Sequence, residues 1–245
     1  MKNWHPPRKP DDIRVNSQIW PRLAFVLHQI ATTGLSVRHE LAKHLAAHFQ
    51  FKLRSKPVRY TFQRLDELHL MDTTTLKVVE GYRMAVLHLA HEGRTLCRYL
   101  GWEVVESEYE RMIRLHSGDS QSRHTAGVLS MAYHARLRGW QVQVVPSIGH
   151  PSVFPDLLLE KGAERMYVDV ELRHGKLNKW RNLGKLQGYV ALCAKTHESR
   201  DTLMGECQQL GIPVIATDLL SLAQTHTLAD PGPLWLQNWN KEIIA

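Results

Sequence analysis

The chain has 245 residues, 43% of them hydrophobic, and a formal net charge of +7 at pH 7. A hydrophobic fraction of this size excludes a globally disordered chain, and the length fits one large domain or two small ones. The first hundred residues carry 16 Lys and Arg against 8 Asp and Glu, so the excess basic charge lies there. This concentration favours a polyanionic partner, and the alternative is a basic surface that only meets solvent.

The three cysteines, Cys97, Cys193 and Cys207, form neither a CxxC pair nor a zinc spacing with histidine. We therefore expect a reducing, cytoplasmic compartment and no structural zinc. The sequence shows no signal-peptide pattern and no apolar run of membrane-spanning length, so we expect no membrane partner. Phosphate-loop, dinucleotide, zinc-protease and nucleophile-elbow motifs are absent, which argues against those enzyme classes and against a nucleotide cofactor.

The first part of the chain predicts an arm followed by helices. Residues 1–16 are rich in proline and basic residues, and we expect a flexible arm there. Apolar residues recur at helical spacing over residues 19–30, and Thr32-Thr33-Gly34 ends that helix. Ser36 is placed to cap a second helix, which we expect over residues 37–49.

A third helix, a hairpin and a fourth helix follow. Ser55 with Pro57 marks the start of the third helix. Residues 76–87 alternate in polarity around Glu80-Gly81, which predicts a β-hairpin with its turn at that pair. We expect a short helix over residues 91–100, ended by a glycine.

Three helices followed by a hairpin are the order of elements in a winged helix-turn-helix domain, which we place at residues 17–102. In such a domain the third helix enters the major groove of DNA. We expect its exposed face to contact phosphates and base edges, and the hairpin to contact the DNA backbone. The predicted contacts are Lys56, Arg59, Tyr60, Gln63 and Arg64 on the helix, with Lys77 and Arg83 on the hairpin. The alternative is a small helical dimerisation or docking domain.

The second half of the chain predicts a mixed sheet. Residues 103–121 are polar, and we expect a connector there. A helix over residues 122–138 precedes an alternating strand at residues 140–146. Two apolar runs, residues 154–160 and 165–173, are joined by a short polar turn and predict adjacent strands.

The remaining elements are predicted as a helix over residues 180–194, a helix over 201–210, a buried strand over 211–217 and a helix near 219–224. The order predicts an α/β (α+β) domain at residues 122–225, with helices on the faces of a mixed sheet. The aromatic tail, residues 226–245, is expected either to pack on a domain or to form a dimer contact.

Acidic residues lie at the start of the first of the two adjacent strands and along the second. Residues two apart in a strand share a face, so Asp169, Glu171 and Arg173 project to the same side. If Asp156 lies across from them, several carboxylates converge. Mg²⁺ and Mn²⁺ prefer such oxygen ligands, which predicts a metal site of Asp156, Asp169 and Glu171. The alternative is a strand whose acids form salt bridges with neighbouring basic residues.

The second half resembles the PD-(D/E)XK restriction-endonuclease-like superfamily, in which an Asp opens one strand and an acid-x-Lys motif lies on the next. Pro155-Asp156 matches the first element. Asp169-Val170-Glu171 or Glu171-Leu172-Arg173 matches the second, in both cases without the lysine. The resemblance implies a nuclease in which Asp156 and Glu171 bind the metal ion and Asp169 is a third ligand or a neighbouring acid.

Together with the winged helix, this pattern is similar to the replication-relaxation family of mobile-element proteins. In that family the acidic strand is followed by Lys and Tyr on the next helix. Lys185 and Tyr189 lie four residues apart after the acidic strand here, and His124 resembles a histidine of the family. The resemblance implies a catalytic role for Lys185 and accessory roles for His124 and Tyr189.

The lysine missing from the acid-x-Lys motif is important because its ammonium group orients the attacking water and neutralises charge that develops on phosphate. Arg173 supplies a permanent positive charge at the catalytic site but cannot act as a base. Lys185 from the following helix is the expected substitute, and Lys176 and Lys179 from the loop before that helix are alternatives.

We therefore expect a DNA-binding protein with a Mg²⁺- or Mn²⁺-dependent endonuclease domain, acting in a mobile element or a defence system with that system's partner proteins. The alternative is a sequence-specific regulator of transcription or plasmid replication. In that case the nuclease-like domain is inactive and serves dimerisation or partner binding. A homodimer fits either interpretation.

Overall fold

The structure, a computed structural model, describes residues 5–11, 16–115, 122–147, 153–173, 177–225 and 230–239. The chain divides into two compact units, Met1–Leu76 with Met84–Leu115, and Lys77–Arg83 with His116–Ala245. Helices combine with two β-sheets, which confirms the predicted mixed α/β class. Within the described residues, no helix has the length and apolar character needed to cross a membrane. Much of the expected N-terminal arm lies outside the described residues.

The first unit consists of helices and one two-stranded sheet. Its elements are α1 (Trp20–Thr33), α2 (Arg38–His48), α3 (Lys56–Glu67), β1 (Met71–Val79), β2 (Tyr82–Leu89), α4 (His91–Tyr99) and α5 (Glu108–Leu115). The expected order of three helices, a hairpin and a fourth helix is confirmed. The hairpin turns at Glu80-Gly81, where Gly81 has a φ of 75°. Its tip, Lys77–Arg83, groups with the second unit.

Helix α1 forms the centre of this unit because most of its residues are apolar and are buried against the other helices. Leu23, Leu27 and Ile30 are all at most 1% exposed and pack with residues of α2, α3 and α4. The helix ends at Gly34, which has a φ of 72° and donates its N–H to the carbonyl of Ile30. A side chain at Gly34 would approach the carbonyl oxygen of Glu106 to 2.9 Å, so this position requires glycine on two grounds.

Two expectations for the first unit are wrong. Ser36 does not cap α2, because Val37 occupies the capping position and the Ser36 hydroxyl accepts a hydrogen bond from the main-chain N–H of Tyr109 at 3.0 Å. The expected connector, as far as residue 115, belongs to the first unit. The N–H of Val105 donates to Ala31, and that of Glu108 to Gly34. Residues 116–121 lie outside the described residues.

The second unit is built on a six-stranded sheet. Its elements are α6 (Ser122–Leu137), β3 (Gln141–Val144), β4 (Leu157–Lys161), β5 (Glu164–Glu171), α7 (Leu177–Gln187), β6 (Val190–Ala194), α8 (His197–Gln209), β7 (Val214–Asp218), α9 (Leu219–Thr225) and β8 (Gln237–Trp239). The strands lie side by side in chain order. Strands β3, β4 and β5 are antiparallel, β5, β6 and β7 are parallel, and β8 runs antiparallel to β7.

Strand β6 was missed by the prediction, which extended the preceding helix to residue 194. The helix instead ends at Gln187, and Gly188 follows with a φ of 82°. All five residues of β6 are buried between β5 and β7. A short apolar run without alternation is compatible with a buried helix or a buried strand, so periodicity could not separate them.

The described part of the aromatic tail packs on the second unit. Strand β8 pairs with β7, with Trp239 opposite Val214. This confirms one of the two alternatives for the tail, that of packing on a domain. Residues 226–229 and 240–245 lie outside the described residues.

Helices cover both faces of the sheet, as expected. Helices α6 and α9 contact each other and the sheet, and α7 and α8 do the same as a second pair. On β5, Val170 lies beneath Gly127 of α6, whereas Asp169 contacts residues of α7. The alternation along β5 therefore directs Asp169 and Glu171 to the α7 side.

Candidate functional site

Asp156 and Asp169 lie opposite each other at the junction of β4 and β5. The two strands pair with Leu157 opposite Val168, and the N–H of Asp156 donates to the carbonyl of Val168 at 3.0 Å. One further step of this register places Asp156 across from Asp169, so their side chains share a face. The residues are only 5% and 1% exposed. The expected position of Asp156 across from the acidic strand is confirmed.

Three further hydrogen bonds fix the position of Asp156. Its Oδ2 accepts from the N–H of Val170 at 2.8 Å, and its Oδ1 lies 3.1 Å from Nε2 of His124. Its carbonyl oxygen accepts from the N–H of Val145 at 2.8 Å. His124, near the start of α6, therefore lies at the predicted site, and the carboxylate of Asp156 has a defined orientation.

Asp169 is held by two consecutive residues of α7. The ammonium group of Lys179 donates to Oδ1, and Nε1 of Trp180 donates to Oδ2 at 3.2 Å. Trp180 is completely buried, so it anchors this part of the helix against the sheet. The lysine that reaches the carboxylates is therefore Lys179, which had been considered only as an alternative.

Glu171 lies two residues beyond Asp169 on the same face of β5 and is 9% exposed. Its Oε1 accepts from the N–H of Arg173 at 3.2 Å, whereas the side chain of Arg173 is exposed. The contact with Arg173 in the structure is thus made by its main chain. The three predicted acids, Asp156, Asp169 and Glu171, do lie at adjoining positions, where the start of β4 pairs with the end of β5.

The electrostatics of the carboxylate pair are dominated by burial. Burial and the facing carboxylate of Asp156 raise the pKa of Asp169, and Lys179 offsets this only in part. Burial would also raise the pKa of Asp156, but the hydrogen bond from His124 and the charge of Lys179 outweigh it and lower that pKa. The first carboxylate is thus held ionised, whereas ionising the second is unfavourable.

The two basic residues respond to the same charges. Burial lowers the pKa of His124, but its bond to Asp156 and the nearby carboxylates outweigh burial, so the net shift is upward. Burial likewise lowers the pKa of Lys179, and the charges of Asp169, Asp156 and Glu171 raise it above its usual value. Both groups are therefore favoured in their cationic forms beside the carboxylates.

Lys185 and Tyr189 lie elsewhere. Lys185 is exposed on α7, whose buried residues are Trp180 and Leu183, because 3.6 residues per turn direct positions 183 and 185 to different sides. Tyr189 follows α7, and burial and Glu164 raise its pKa. Glu164 starts β5, at the opposite end of that strand from Glu171. Lys176 lies outside the described residues.

A second buried acid was not anticipated. Asp218 ends β7 and is completely buried. Its Oδ2 accepts from Nη1 of Arg200 at 2.8 Å, and its Oδ1 accepts from the N–H of Ser221 at 2.8 Å. The carboxylate thus bonds a guanidinium group and an N–H group in the first turn of α9, which is the pattern of a structural cap.

Of the residues predicted to contact DNA, those on α3 lie on the first unit, whereas Lys77 and Arg83 lie at the hairpin tip, which groups with the second unit. Lys56, Arg59, Tyr60 and Gln63 are exposed on α3, and Arg83 is exposed on β2. Three of the predicted contacts bond neighbouring acids in the structure. Glu67 accepts from Gln63 at 2.8 Å and from Arg64, and Glu80 accepts from Lys77 at 2.6 Å. These pairs are exposed and weak, so phosphates can compete for the basic groups.

The fit of a metal ion to the carboxylate site rests on donor chemistry. Among the described residues, no three His, Cys, Asp or Glu side chains are grouped closely enough to hold a metal ion. The carboxylates of Asp156, Asp169 and Glu171 nevertheless supply the oxygen donors that Mg²⁺ and Mn²⁺ prefer. Burial and the facing carboxylate of Asp156 raise the pKa of Asp169, and a cation bound between the two carboxylates would favour the ionised form of Asp169.

Comparisons of the chain with protein families, with curated proteins and with solved structures give no match.

Proposed function

We propose that the chain is a DNA-binding protein whose second unit hydrolyses phosphodiester bonds with a bound divalent metal ion. The opposition of two buried carboxylates, Asp156 and Asp169, with a lysine in contact with one of them, carries this proposal. The position of Asp156 before one strand and of Asp169 on the next agrees with the PD-(D/E)XK pattern. Lys179, supplied by α7, stands for the lysine that the strand lacks.

Each residue of the site has a role in this proposal. Asp156, Asp169 and Glu171 would hold Mg²⁺ or Mn²⁺, which supplies Lewis-acid stabilisation of phosphate and a bound water of lowered pKa. Lys179 places its ammonium group beside the carboxylates, where it can stabilise negative charge on a phosphate oxygen. His124 donates to Asp156 and keeps that carboxylate in a fixed orientation.

In the same proposal the first unit is a winged helix that binds DNA through α3. The order of its elements, the exposed basic residues Lys56 and Arg59, and the concentration of basic charge before residue 100 support this assignment. A helix presented in this way would contact phosphates and base edges in the major groove. The binding would weaken as salt concentration rises, because each phosphate contact releases counterions.

Cleavage of supercoiled plasmid in Mn²⁺ tests the proposed nuclease. Wild type should nick or linearise the plasmid, and Glu171→Gln should not. Glu164→Gln is the matched control, because it makes the same change at the exposed far end of the same strand and should leave cleavage intact. Absence of cleavage by wild type in both Mg²⁺ and Mn²⁺, or equal cleavage by both variants, would contradict the proposal.

A second candidate function is regulation of transcription or plasmid replication by a protein whose nuclease-like domain is inactive. The ion pairs within the site favour it, since Lys179 bonds Asp169 and His124 bonds Asp156, so each carboxylate already has a basic partner in the protein. DNA affinity in EDTA and in Mg²⁺ separates the two candidates. A regulator should bind its DNA equally in both and cleave in neither.

A further inference from the structure

Phe154 is a large exposed aromatic residue beside the carboxylate site. The residue is 71% exposed, although Val153 before it and Asp156 after it are 1% and 5% exposed. Pro155, between Phe154 and Asp156, is also buried. The residue therefore leaves the core and meets solvent, although the residues on both sides of it are buried.

The backbone around Phe154 is fixed on both sides. Val153 belongs to the core cluster that contains Trp180 and Leu183 of α7, and Trp180 also bonds Asp169. Asp156 is held by main-chain hydrogen bonds to Val145 and Val168. The aromatic ring is therefore presented to solvent from an anchored segment, two residues before a carboxylate of the site.

We infer that Phe154 stacks on a nucleobase next to the scissile phosphate, so that the site takes DNA with an unpaired base at that point. This inference rests on the proposed function. An aromatic ring stacks on any base, because every base offers a flat π-face. In continuous duplex those faces are covered by neighbouring base pairs, whereas single-stranded, gapped or mismatched DNA exposes them.

Binding of oligonucleotides to the full chain in EDTA tests the inference without requiring cleavage. The probes are a single strand that carries a fluorescent adenine analogue, and the same sequence as a continuous duplex. Phe154→Ala should weaken single-strand binding about tenfold, the equivalent of losing one stacked base. It should leave duplex binding unchanged, because the proposed duplex contact lies on α3.

Two further variants define the effect. Phe154→Trp should retain single-strand affinity and the quenching of the adenine analogue that stacking produces. Tyr99→Ala is the control, since Tyr99 is 76% exposed on α4 of the first unit and should bind both probes as wild type does. Equal affinities of wild type and Phe154→Ala for the single strand, or an equal loss for both probes, would overturn the inference.

The outcome also separates this inference from the proposed nuclease. A selective loss of single-strand binding in Phe154→Ala supports stacking even if wild type cleaves nothing, which would contradict only the nuclease. Plasmid cleavage by wild type combined with unchanged single-strand binding in Phe154→Ala would keep the nuclease and overturn the stacking role.

Discussion

Two buried acidic clusters lie in the six-stranded sheet, and they differ in how their charge is compensated. At the end of β7, the single carboxylate of Asp218 meets the guanidinium of Arg200 and the N–H of Ser221. Where the start of β4 pairs with the end of β5, Asp156 and Asp169 face each other. Asp156 bonds the imidazole of His124, and Asp169 bonds the ammonium group of Lys179. The first cluster is balanced by a permanent charge and a helix terminus. In the second cluster, the pKa of the Asp169 carboxylate is raised.

This difference distinguishes a structural acid from a candidate functional one. A carboxylate with a matched guanidinium has its charge neutralised and its hydrogen bonds made, so it gains little from a further ligand. Two facing carboxylates in a buried site repel each other, and a bound cation would relieve that repulsion. Burial alone therefore does not identify the site; the opposition of two buried carboxylates does.

The largest expected effect is the loss of stability when the buried pair of Asp218 and Arg200 is broken. Asp218→Ala leaves the guanidinium of Arg200, whose side chain is only 11% exposed, without its buried partner. Breaking a buried pair on one side costs about 3–5 kcal/mol of unfolding free energy. Urea unfolding of the full chain measures this loss.

Asp201→Ala is the matched control for that experiment. Arg200 also bonds Asp201, but that carboxylate is 56% exposed. Its removal should change the unfolding free energy by less than about 1 kcal/mol. Similar losses for the two variants would mean that burial does not determine the strength of these pairs.

A metal ion should stabilise the site of Asp156 and Asp169 and leave the pair of Asp218 and Arg200 unaffected. Binding to the folded state alone at a hundred times the dissociation constant adds about 2.7 kcal/mol of stability, so Mn²⁺ should raise the melting temperature of wild type. Asp156→Asn should abolish the rise and Asp201→Asn should retain it. A rise of the same size in Asp156→Asn would place the ion elsewhere.

Part of the site could be predicted because it depends on local geometry. A short polar turn favours the pairing of β4 with β5, so the sequence could suggest Asp156 opposite the acidic strand, and the register of the two strands confirms it. Lys179 was harder to assign because the predicted helix began at residue 180, which left Lys179 in a loop. The helix begins at Leu177, and the start of a helix is where periodicity gives least information.

Strand β6 and the role of Asp218 were both missed from the sequence, and both depend on contacts between distant parts of the chain. Strand β6 is a strand because β5 and β7 provide its hydrogen-bond partners. Asp218 is a structural acid because Arg200, eighteen residues earlier, reaches it from α8. Neither partner is visible in the local pattern, since tertiary pairing decides both.

In the first unit, Glu110 bonds Ser107 and Arg94, and this cluster gives a pH-dependent test. Burial would raise the pKa of Glu110, but its bonds from Ser107 and Arg94 outweigh burial and lower it. A lowered folded-state pKa means that the ionised carboxylate stabilises the fold above the unfolded-state pKa of about 4.3, and that this contribution is lost as pH falls through the folded-state pKa. The contribution of Glu110 to the stability of the fold should therefore be lost in acid.

Glu110→Gln should accordingly cost about 1 kcal/mol near neutral pH, allowing for solvent screening of a partly exposed group. The difference from wild type should shrink as pH falls below about 4. Urea unfolding across this pH range measures it, with Glu103→Gln, an exposed acid of the same unit, as the control. A difference that stays constant or grows in acid would contradict the assigned sign.

The smallest expected effect concerns backbone strain at a residue that contacts Asp156. Val145 has a φ of 49°, a left-handed conformation that β-branched residues rarely adopt, and its N–H donates to the carbonyl of Asp156. Val145→Gly should relieve this strain and raise the unfolding free energy by up to about 1 kcal/mol, since glycine adopts the conformation readily but has greater entropy when unfolded.

Val142→Gly is the control for Val145→Gly, because Val142 is also half-buried and lies in the extended part of β3. It should lose stability, since glycine in a strand gives up packing and adds unfolded-state entropy. A loss of similar size in both variants would mean that the packing of Val145 outweighs its strain. A gain confined to Val145→Gly would show that the fold accepts an unfavourable backbone conformation at the residue that bonds Asp156, as strained segments at functional sites do.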